Sequence, residues 1–269
     1  MKFTEGLLKK IYIPPPDSHK GENGKLLVIA GSKLFHSASI WPLTVAARIV
    51  DMVFYSSVLE NNEIVKKEFR NGIVVPRDRV EDYIKEADCV LIGPGLPRKE
   101  GEERGDDDTG RLTSELLKKY PNKKWVIDGG SLQTIAPDIL PKNSIITPHP
   151  KEFETLFKLK PTKENAEKVA KEFNCIVLLK GPTDVICSKT QTVEIEGGNA
   201  GMTKGGTGDV LAGLVASLNC NNEPFLSAVA GSFINKKAGE SLFKRVGYYF
   251  NASDLANEIP LVMKKLLPI

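Results

Sequence analysis

The chain has 269 residues, of which 41% are hydrophobic and 26% charged, and this is enough apolar sequence to build a large core. Its formal net charge is +3, and the 37 basic residues are interspersed with 34 acidic ones, which argues against a nucleic-acid-binding surface. Residues 1–21 contain no apolar run long enough for a signal peptide or a membrane span, so neither is expected.

The four cysteines have no metal-ligand spacing, and the first three lie in apolar, strand-like runs. We therefore expect buried, reduced thiols and a cytoplasmic protein. The chain has only three histidines, which argues against a multi-histidine metal site.

The first half of the chain alternates short apolar strands with helices. Strands are predicted at 25–31, 52–57, 72–75 and 88–93, and helices at 39–51 and 79–86. Pro42 is compatible with the first turn of its helix, where no backbone donor is needed. Residues 98–111 carry four basic and six acidic groups without an apolar anchor, which predicts a solvated, mobile loop.

The second half continues the alternation and ends in helices. Strands are predicted at 124–128, 144–147 and 175–181, a hairpin at 185–195, and helices at 110–119, after 147, at 162–173, 208–219, 223–243 and 252–267. This order predicts one α/β domain over 1–269, with a mostly parallel central sheet, helices on both faces and a small antiparallel extension.

Ligands of such sheets bind beyond the carboxyl ends of the strands. Glycine, proline and polar residues fall at those predicted ends: Gly31, Gly93 to Gly95, Asp128, Thr147 to His149, Lys180 and Gly181. The sequence therefore predicts a ligand site along this edge of the sheet.

The most informative run is GGNAGMTKGGTGDVLAG at 197–213. Its glycines precede a helical pattern, so free backbone N–H groups and the helix dipole predict an anion cradle there. Asp209 then places a carboxylate beside the expected phosphate, where it can hold a metal or accept a proton from a hydroxyl. The alternative is a plain helix start, with Thr207 as the N-cap and Asp209 favouring the dipole.

Four strand-end residues are further candidates, and each has a structural alternative. Gly95 either admits a ligand or forms a tight turn, and His149 either contacts a ligand or caps a helix that has Glu152 in its first turn. Lys180 either reaches a nucleotide's phosphate or ribose or is simply solvated. Asp128 either binds substrate hydroxyls or a hydrated Mg²⁺, or caps the next turn.

Several of these motifs together resemble one enzyme family. GNAGMTKGGTGDVLAG (198–213), with GPGL (93–96), TPHPKEF (147–153) and LLKG (178–181), resembles the ADP- or ATP-dependent NAD(P)H-hydrate dehydratases of the ribokinase-like superfamily. The glycine-rich core is shared across that superfamily, and FHSASI (35–40) with the TPHP run narrows the resemblance to the dehydratase. It extends from about Gly24 to the end, and we expect a stand-alone dehydratase without an epimerase domain.

The resemblance implies a site in two halves. The substrate half contains Ala38, Gly95 and His149, with Asp209 at the reacting hydroxyl. The nucleotide half is implied at Lys180, Gly181, Pro182, Thr183, Asp184, Asn199, Thr207 and Gly208. Asp184 departs from the family, which often has a hydroxyl residue near this position, and Lys204 is unusual within the glycine run.

The implied reaction is a lyase reaction that repairs hydrated NADH or NADPH. The ring hydroxyl is phosphorylated from ADP or ATP with Mg²⁺, Asp209 accepts its proton, and phosphate is then eliminated. Two alternatives remain: a vitamin-precursor kinase of the same fold, and a non-catalytic nucleotide sensor. The sequence does not distinguish ADP from ATP or identify metal ligands, while the helical tail favours a homo-oligomer, with a tetramer as one form.

Overall fold

The computed structural model describes residues 5–267, over which nine strands form one sheet. The strands are β1 (Lys25–Ile29), β2 (Met52–Ser56), β3 (Ile73–Val74), β4 (Cys89–Ile92), β5 (Lys124–Ile127), β6 (Ile145–Ile146), β7 (Ile176–Leu179), β8 (Asp184–Cys187) and β9 (Thr192–Ile195). Their order is β3-β2-β1-β4-β5-β6-β7-β8-β9; the pairs from β3 to β7 are parallel, and β8 and β9 add antiparallel pairs. The predicted sheet with an antiparallel extension is confirmed.

Ten α-helices cover the two faces of this sheet within the described part of the chain. They are α1 (Ser37–Ala46), α2 (Leu59–Glu68), α3 (Val80–Glu86), α4 (Thr109–Lys119), α5 (Gly129–Thr134), α6 (Pro150–Phe157), α7 (Lys163–Phe173), α8 (Thr207–Asn221), α9 (Pro224–Val246) and α10 (Ala252–Leu266). None of those between residues 5 and 267 is long and apolar enough to cross a membrane.

The apolar strands serve two separate cores because successive side chains point to opposite faces. In β1, Leu26 and Val28 pack with α1, α8, α9 and α10, whereas Leu27 and Ile29 pack with α3, α4, α6 and α7. Burial on both faces explains why the strands are continuous apolar runs rather than alternating ones. All four cysteines are buried and free, as expected.

Two helices were not predicted. In α2 the buried residues are Asn61, Asn62 and Val65, so polar side chains face inward and no apolar period marks the helix. The short α5 begins with two glycines, which are poor helix formers.

Helix α1 also differs from its prediction. It ends at Ala46 rather than at residue 51, and Pro42 lies inside the helix rather than in its first turn. A Cβ added to Gly213 of α8 would lie 2.5 Å from the Pro42 Cα, so the glycine lets the two helices approach at this proline.

The charged segment 98–111 was expected to be a mobile loop, but the structure ties it down through its acids. Asp106 accepts a hydrogen bond from the Lys33 backbone N–H (3.0 Å), and Asp107 pairs with Arg77 at 2.5 Å. Asp108 is the N-cap of α4, with its side chain accepting from the Arg111 N–H.

Candidate active site

The carboxyl ends of β5 and β7 and the start of α6 bring three charged side chains together. The Lys180 Nζ lies 2.9 Å from Asp128 Oδ1 and 3.8 Å from Glu152 Oε2. Both carboxylates are nearly inaccessible to solvent, and the lysine side chain is only 17% exposed. Asp128 is the residue before α5, but its side chain makes no capping hydrogen bond to that helix. The alternative in which Asp128 serves as a side-chain cap is therefore wrong.

Asp209, in the first turn of α8, belongs to the same electrostatic group. Its burial, together with the charge of Asp128, raises the pKa of Asp209 to about 8, although Lys180 opposes the shift. Burial also raises the pKa of Glu152 to about 7. Burial alone would lower the pKa of Lys180, but the charges of Asp128, Glu152 and Asp209 and the hydrogen bond to Asp128 outweigh it and raise that pKa. Two carboxyl groups of this cluster, Asp209 and Glu152, therefore have strongly raised pKa values. Groups with shifted pKa values are frequent in catalytic sites.

The N-terminus of α8 lies where the sequence predicts an anion cradle, and its cap differs from the one considered there. The N-cap is Gly206, whose φ of +91° favours glycine, and Thr207 is the first helical residue, so the alternative that makes Thr207 the N-cap is wrong. The Thr207 hydroxyl instead donates to the carbonyls of Met202 and Lys204. The N–H groups of Gly208 and Asp209, as second and third residues of the helix, have no partner within it and are available to an anion.

Gly208 lies directly beside the charged cluster. A Cβ added there would be 3.5 Å from the Lys180 Nζ, and no backbone atom crowds the position. Free N–H groups, an ammonium group and a buried carboxylate thus converge at the start of α8.

A cavity of about 660 Å³ opens from this point between α8, α9 and two loops. We call it the α8–α9 cavity. It is lined by His149, Lys180, Gly181, Pro182, Asp184, Gly197, Gly198, Asn199, Ala200, Met202, Thr203, Thr207, Gly208, Leu211, Asn235 and Lys236. The cavity contains seven of the eight residues predicted for the nucleotide half, and Thr183 is the one outside its lining.

Lys236 of α9 was missed by the sequence analysis, although it braces two walls of this cavity. Its buried Nζ donates to the carbonyls of Gly181 and Pro182 (both 3.0 Å) and Gly197 (3.3 Å), and lies 3.4 Å from Asp184 Oδ1. The available signal was weak: Lys236 follows the mostly apolar stretch 228–234 of the predicted helix.

Asp184 and Asn199 line the cavity, but their side chains also hold its loops. Asp184 accepts from the Gly181 N–H (2.9 Å) and from the Ser232 hydroxyl (2.7 Å). Asn199 donates to the Gly239 carbonyl (2.8 Å). The carboxylate of Asp184 therefore organises the turn after β7, where a hydroxyl residue was expected from the family pattern.

His149 combines the two roles that the sequence left open. Its Nδ1 accepts from the Glu152 N–H while the Glu152 side chain accepts from the His149 N–H, which makes a capping box for α6. The ring is nevertheless about half exposed and lines the α8–α9 cavity. Burial, followed by the charge of Lys180, lowers the pKa of His149, so the ring is neutral near pH 7.

Ala38 and Gly95 meet at the start of α1, outside the α8–α9 cavity. Gly95 has φ +66°, and a Cβ there would lie 2.5 Å from the Ala38 Cβ and 2.8 Å from the Phe35 carbonyl oxygen. The structure thus brings these two predicted residues together. Gly93, in the same loop, lies close to the Asp128 carbonyl, which connects this region to the charged cluster.

This geometry defines a class of enzyme. A parallel sheet with an anion cradle, a lysine and a buried carboxylate at its carboxyl edge is typical of phosphoryl-transfer chemistry. Comparison with known proteins identifies the family within that class. The model of the NAD(P)H-hydrate dehydratase family matches residues 26–261, and the chain belongs to this family.

Two relatives define the extent of the match. The ADP-dependent (S)-NAD(P)H-hydrate dehydratase of Nitrosopumilus maritimus is 36% identical over 97% of this chain and 96% of its own length. The bifunctional NAD(P)H-hydrate repair enzyme Nnr of Methanocaldococcus jannaschii is also 36% identical, over 96% of this chain and 52% of its own length. The chain therefore spans about half the length of the bifunctional relative.

A solved structure shows the same fold. The ADP/ATP-dependent NAD(P)H-hydrate dehydratase of Bacillus subtilis, co-crystallised with ATP and Mg²⁺, superimposes with a TM-score of 0.80 and 22% identity over 98% of this chain and 97% of that one. The family and the ribokinase-like α/β fold expected from the motifs are both confirmed.

Proposed function

We propose that this chain dehydrates hydrated NADH or NADPH back to the reduced nucleotide, with ADP or ATP as phosphoryl donor. The observation that carries the proposal is Asp209, a half-buried carboxyl group in the first turn of α8, next to Gly208 of the α8–α9 cavity. A carboxylate next to a phosphate site repels the phosphate, so binding alone does not explain its presence. A reaction in which the carboxylate removes a proton from a substrate hydroxyl does explain it.

The reaction needs a leaving group better than hydroxide. Asp209 in its ionised form accepts the proton of the ring hydroxyl as the hydroxyl oxygen attacks the terminal phosphorus of the nucleotide, so the rate should rise with pH until Asp209 is ionised near pH 8. The bond from that phosphorus to the bridging oxygen breaks, and the free N–H groups of Gly208 and Asp209 stabilise the transferring phosphoryl group. The ring nitrogen then supplies the electron pair that expels phosphate, and loss of a proton from the adjacent carbon restores the double bond.

Asp128 and Glu152 fit a magnesium ion that accompanies the nucleotide. Mg²⁺ usually binds one or two protein carboxylates and takes its other ligands from water and phosphate oxygens. Both carboxylates lie at Lys180, next to the cradle, and so provide such a partial ligand set. Bound there, the ion would neutralise phosphate charge while Lys180 holds the carboxylates in place.

The two halves of the site then receive different ligands. The adenine nucleotide occupies the α8–α9 cavity, with its phosphates at Lys180 and Gly208. The hydrated nicotinamide nucleotide lies towards Ala38 and Gly95, with its hydroxyl at Asp209, and His149, which lines the α8–α9 cavity, contacts it from the side of the adenine nucleotide. The charged cluster lies between the two ligands. Its Lys180 lines the α8–α9 cavity, and the carbonyl of its Asp128 lies close to Gly93, in the loop that contains Gly95.

We also propose that copies of the chain associate. Exposed apolar side chains gather where α9 ends: Tyr249 is 91% exposed and Tyr248 52%, with Phe243 and Val246 nearby. Light scattering of the purified protein, compared with Tyr249→Asp, tests whether this cluster joins copies: the parent is expected to be oligomeric and the variant smaller. A parent that is already monomeric would contradict the proposal.

The activity is tested by adding the protein, Mg²⁺ and ADP or ATP to hydrated NADH and following absorbance in the reduced-nicotinamide band. Recovery with one or both donors is expected, and Asp209→Asn is the control for background. If absorbance does not return, the same protein is assayed for stable phosphorylation of hydroxymethyl or hydroxyethyl vitamin precursors, which identifies the kinase alternative. Nucleotide binding without either product would indicate a sensor.

A further inference from the structure

Asn235 of α9 is a buried amide without a partner. It is only 5% exposed, it lines the α8–α9 cavity, and its Oδ1 has no hydrogen-bond partner among residues 5–267. Folded proteins rarely leave such a group unpaired, because burial removes its bonds to water without replacing them. The oxygen is closed to solvent, so the amide would have to turn about its last side-chain bond to present it to the cavity, where a ligand atom would supply the missing partner.

The composition of the cavity lining indicates which part of a nucleotide Asn235 would meet. Lys180 and Gly208 mark the phosphate end, at the start of α8. Leu211 lies one turn further along the same helix, and with Pro182 and Met202 it gives the cavity apolar walls. Apolar walls and one free amide suit a flat heterocyclic base better than a phosphate or a ribose.

The neighbouring residue fixes the amide in place. The Lys236 ammonium is held by the carbonyls of Gly181, Pro182 and Gly197, so this turn of α9 is anchored to both cavity walls. Asn235 is therefore presented from a rigid backbone, which is the usual arrangement of a residue that selects a ligand.

We propose that Asn235 recognises the adenine base, with Oδ1 accepting from the 6-amino group and Nδ2 donating to the adjacent ring nitrogen. An asparagine amide and an adenine edge match in this way, donor to acceptor and acceptor to donor. The inference rests on the proposed binding of a nucleotide in the α8–α9 cavity, and adds the residue that selects the base.

The test compares two ligands and three proteins by calorimetry. The ligands are ADP and purine riboside 5′-diphosphate, which differs from ADP only in lacking the 6-amino group. The proteins are the parent, Asn235→Leu and the control Asn219→Leu. Asn219 is a matched control because it is also a buried asparagine with an unpartnered Oδ1, but it lies near the other end of α8 and outside the cavity lining.

The parent and the control should both bind ADP about 2- to 13-fold more tightly than the analogue, as expected for one hydrogen bond. In Asn235→Leu the ratio should fall to about one. The unliganded Asn235→Leu protein should melt no lower than the parent, since leucine replaces an amide that has no partner. If the leucine variant does not fold, Asn235→Ala replaces it in the same comparison.

An Asn235 variant that keeps the parent's preference for ADP would overturn the assignment while leaving the nucleotide site intact. A parent that binds both ligands equally would do the same. If the parent binds neither ligand, the proposed nucleotide site fails together with the inference.

Discussion

The two proposed sides of the site, one for the adenine nucleotide and one for the substrate, are constructed by different means. The nucleotide side is held by side-chain hydrogen bonds to the backbone. Lys236 donates to three carbonyl groups, and Asn199 donates to the Gly239 carbonyl. The substrate side is shaped by the absence of side chains, since Gly95 leaves just enough room for Ala38 and the Phe35 backbone. A braced cavity keeps its shape without a ligand, whereas a surface formed by close backbone contact is sensitive to every added atom. Substitutions should therefore affect the two sides in separable ways.

The largest effect is expected at Asp209, between the two sides. Asp209→Asn removes the proposed general base, and turnover should fall by about 10²–10⁴-fold. Above about pH 8, where Asp209 is ionised, ADP affinity should stay the same or increase, because one negative charge beside the phosphates is lost. The rate is measured by recovery of reduced-nicotinamide absorbance, and binding by calorimetry. A variant with half the parent's rate would show that the base lies elsewhere.

The next largest effect concerns the nucleotide side alone. Gly208→Val places a branched side chain in the α8–α9 cavity, and the resulting overlap should weaken ADP binding by about 10- to 100-fold. Gly205→Val is the matched control, because a Cβ at Gly205 meets no atom within 4 Å and the residue is outside the cavity lining. ADP-dependent thermal stabilisation reports both. Equal stabilisation of the two variants would contradict a cradle at Gly208.

A smaller effect is expected from His149→Ala. The neutral ring should contribute one hydrogen bond to the hydrated nicotinamide nucleotide, so its KM should rise about 2- to 13-fold while ADP affinity remains near the parent's. His149→Asn serves as a control because asparagine can also cap α6. If ADP affinity falls and KM does not, His149 belongs to the nucleotide side and the division of the site is wrong.

A separate prediction concerns stability rather than ligand binding or turnover. The pKa of Asp209 is about 8 in the folded protein, against 3.8 for an ordinary aspartate. Since the unfolded chain loses this proton first, the ionisable Asp209 increasingly destabilises the fold as pH rises from about 4 to about 8. Asp209→Asn should therefore melt higher than the parent at pH 8, by about 2–4 °C for each kcal/mol relieved, with no difference below about pH 4. Thermal melts of both proteins at several pH values measure the difference. If the parent and Asp209→Asn melt at the same temperature at pH 8, ionisation of Asp209 does not destabilise the fold and the prediction is wrong.

The sequence predicted the parts of the site that depend on local order. The glycines before α8 predicted the cradle, and the strand ends predicted Asp128 and Lys180, because parallel strands bring their carboxyl ends to one edge. The capping of α6 by His149 was foreseen as an alternative.

The residues that were missed owe their roles to distant contacts. Lys236 and Asn235 lie on a helix with no local motif, and Lys236 bonds loops about 40 to 55 residues away in the chain. The cap at Gly206 was also missed, because the Thr207 hydroxyl is used by the preceding turn. Asp184 was placed correctly, but its hydrogen bonds to Gly181 and Ser232 could not be read from its own neighbourhood.

The anchored segment 98–111 has a consequence for the response of the protein to ionic strength. It lies against the substrate side, where Gly101 is close to the Phe35 ring, and it is held by partly solvated charges such as Arg77 with Asp107 and Lys33 with the Arg104 carbonyl. The Lys236 brace is buried, and salt screens buried charges much less than solvated ones. Rising salt should therefore loosen segment 98–111 on the substrate side, whereas the nucleotide side should keep its shape. Ionic strength alone should thus change the two sides to different extents.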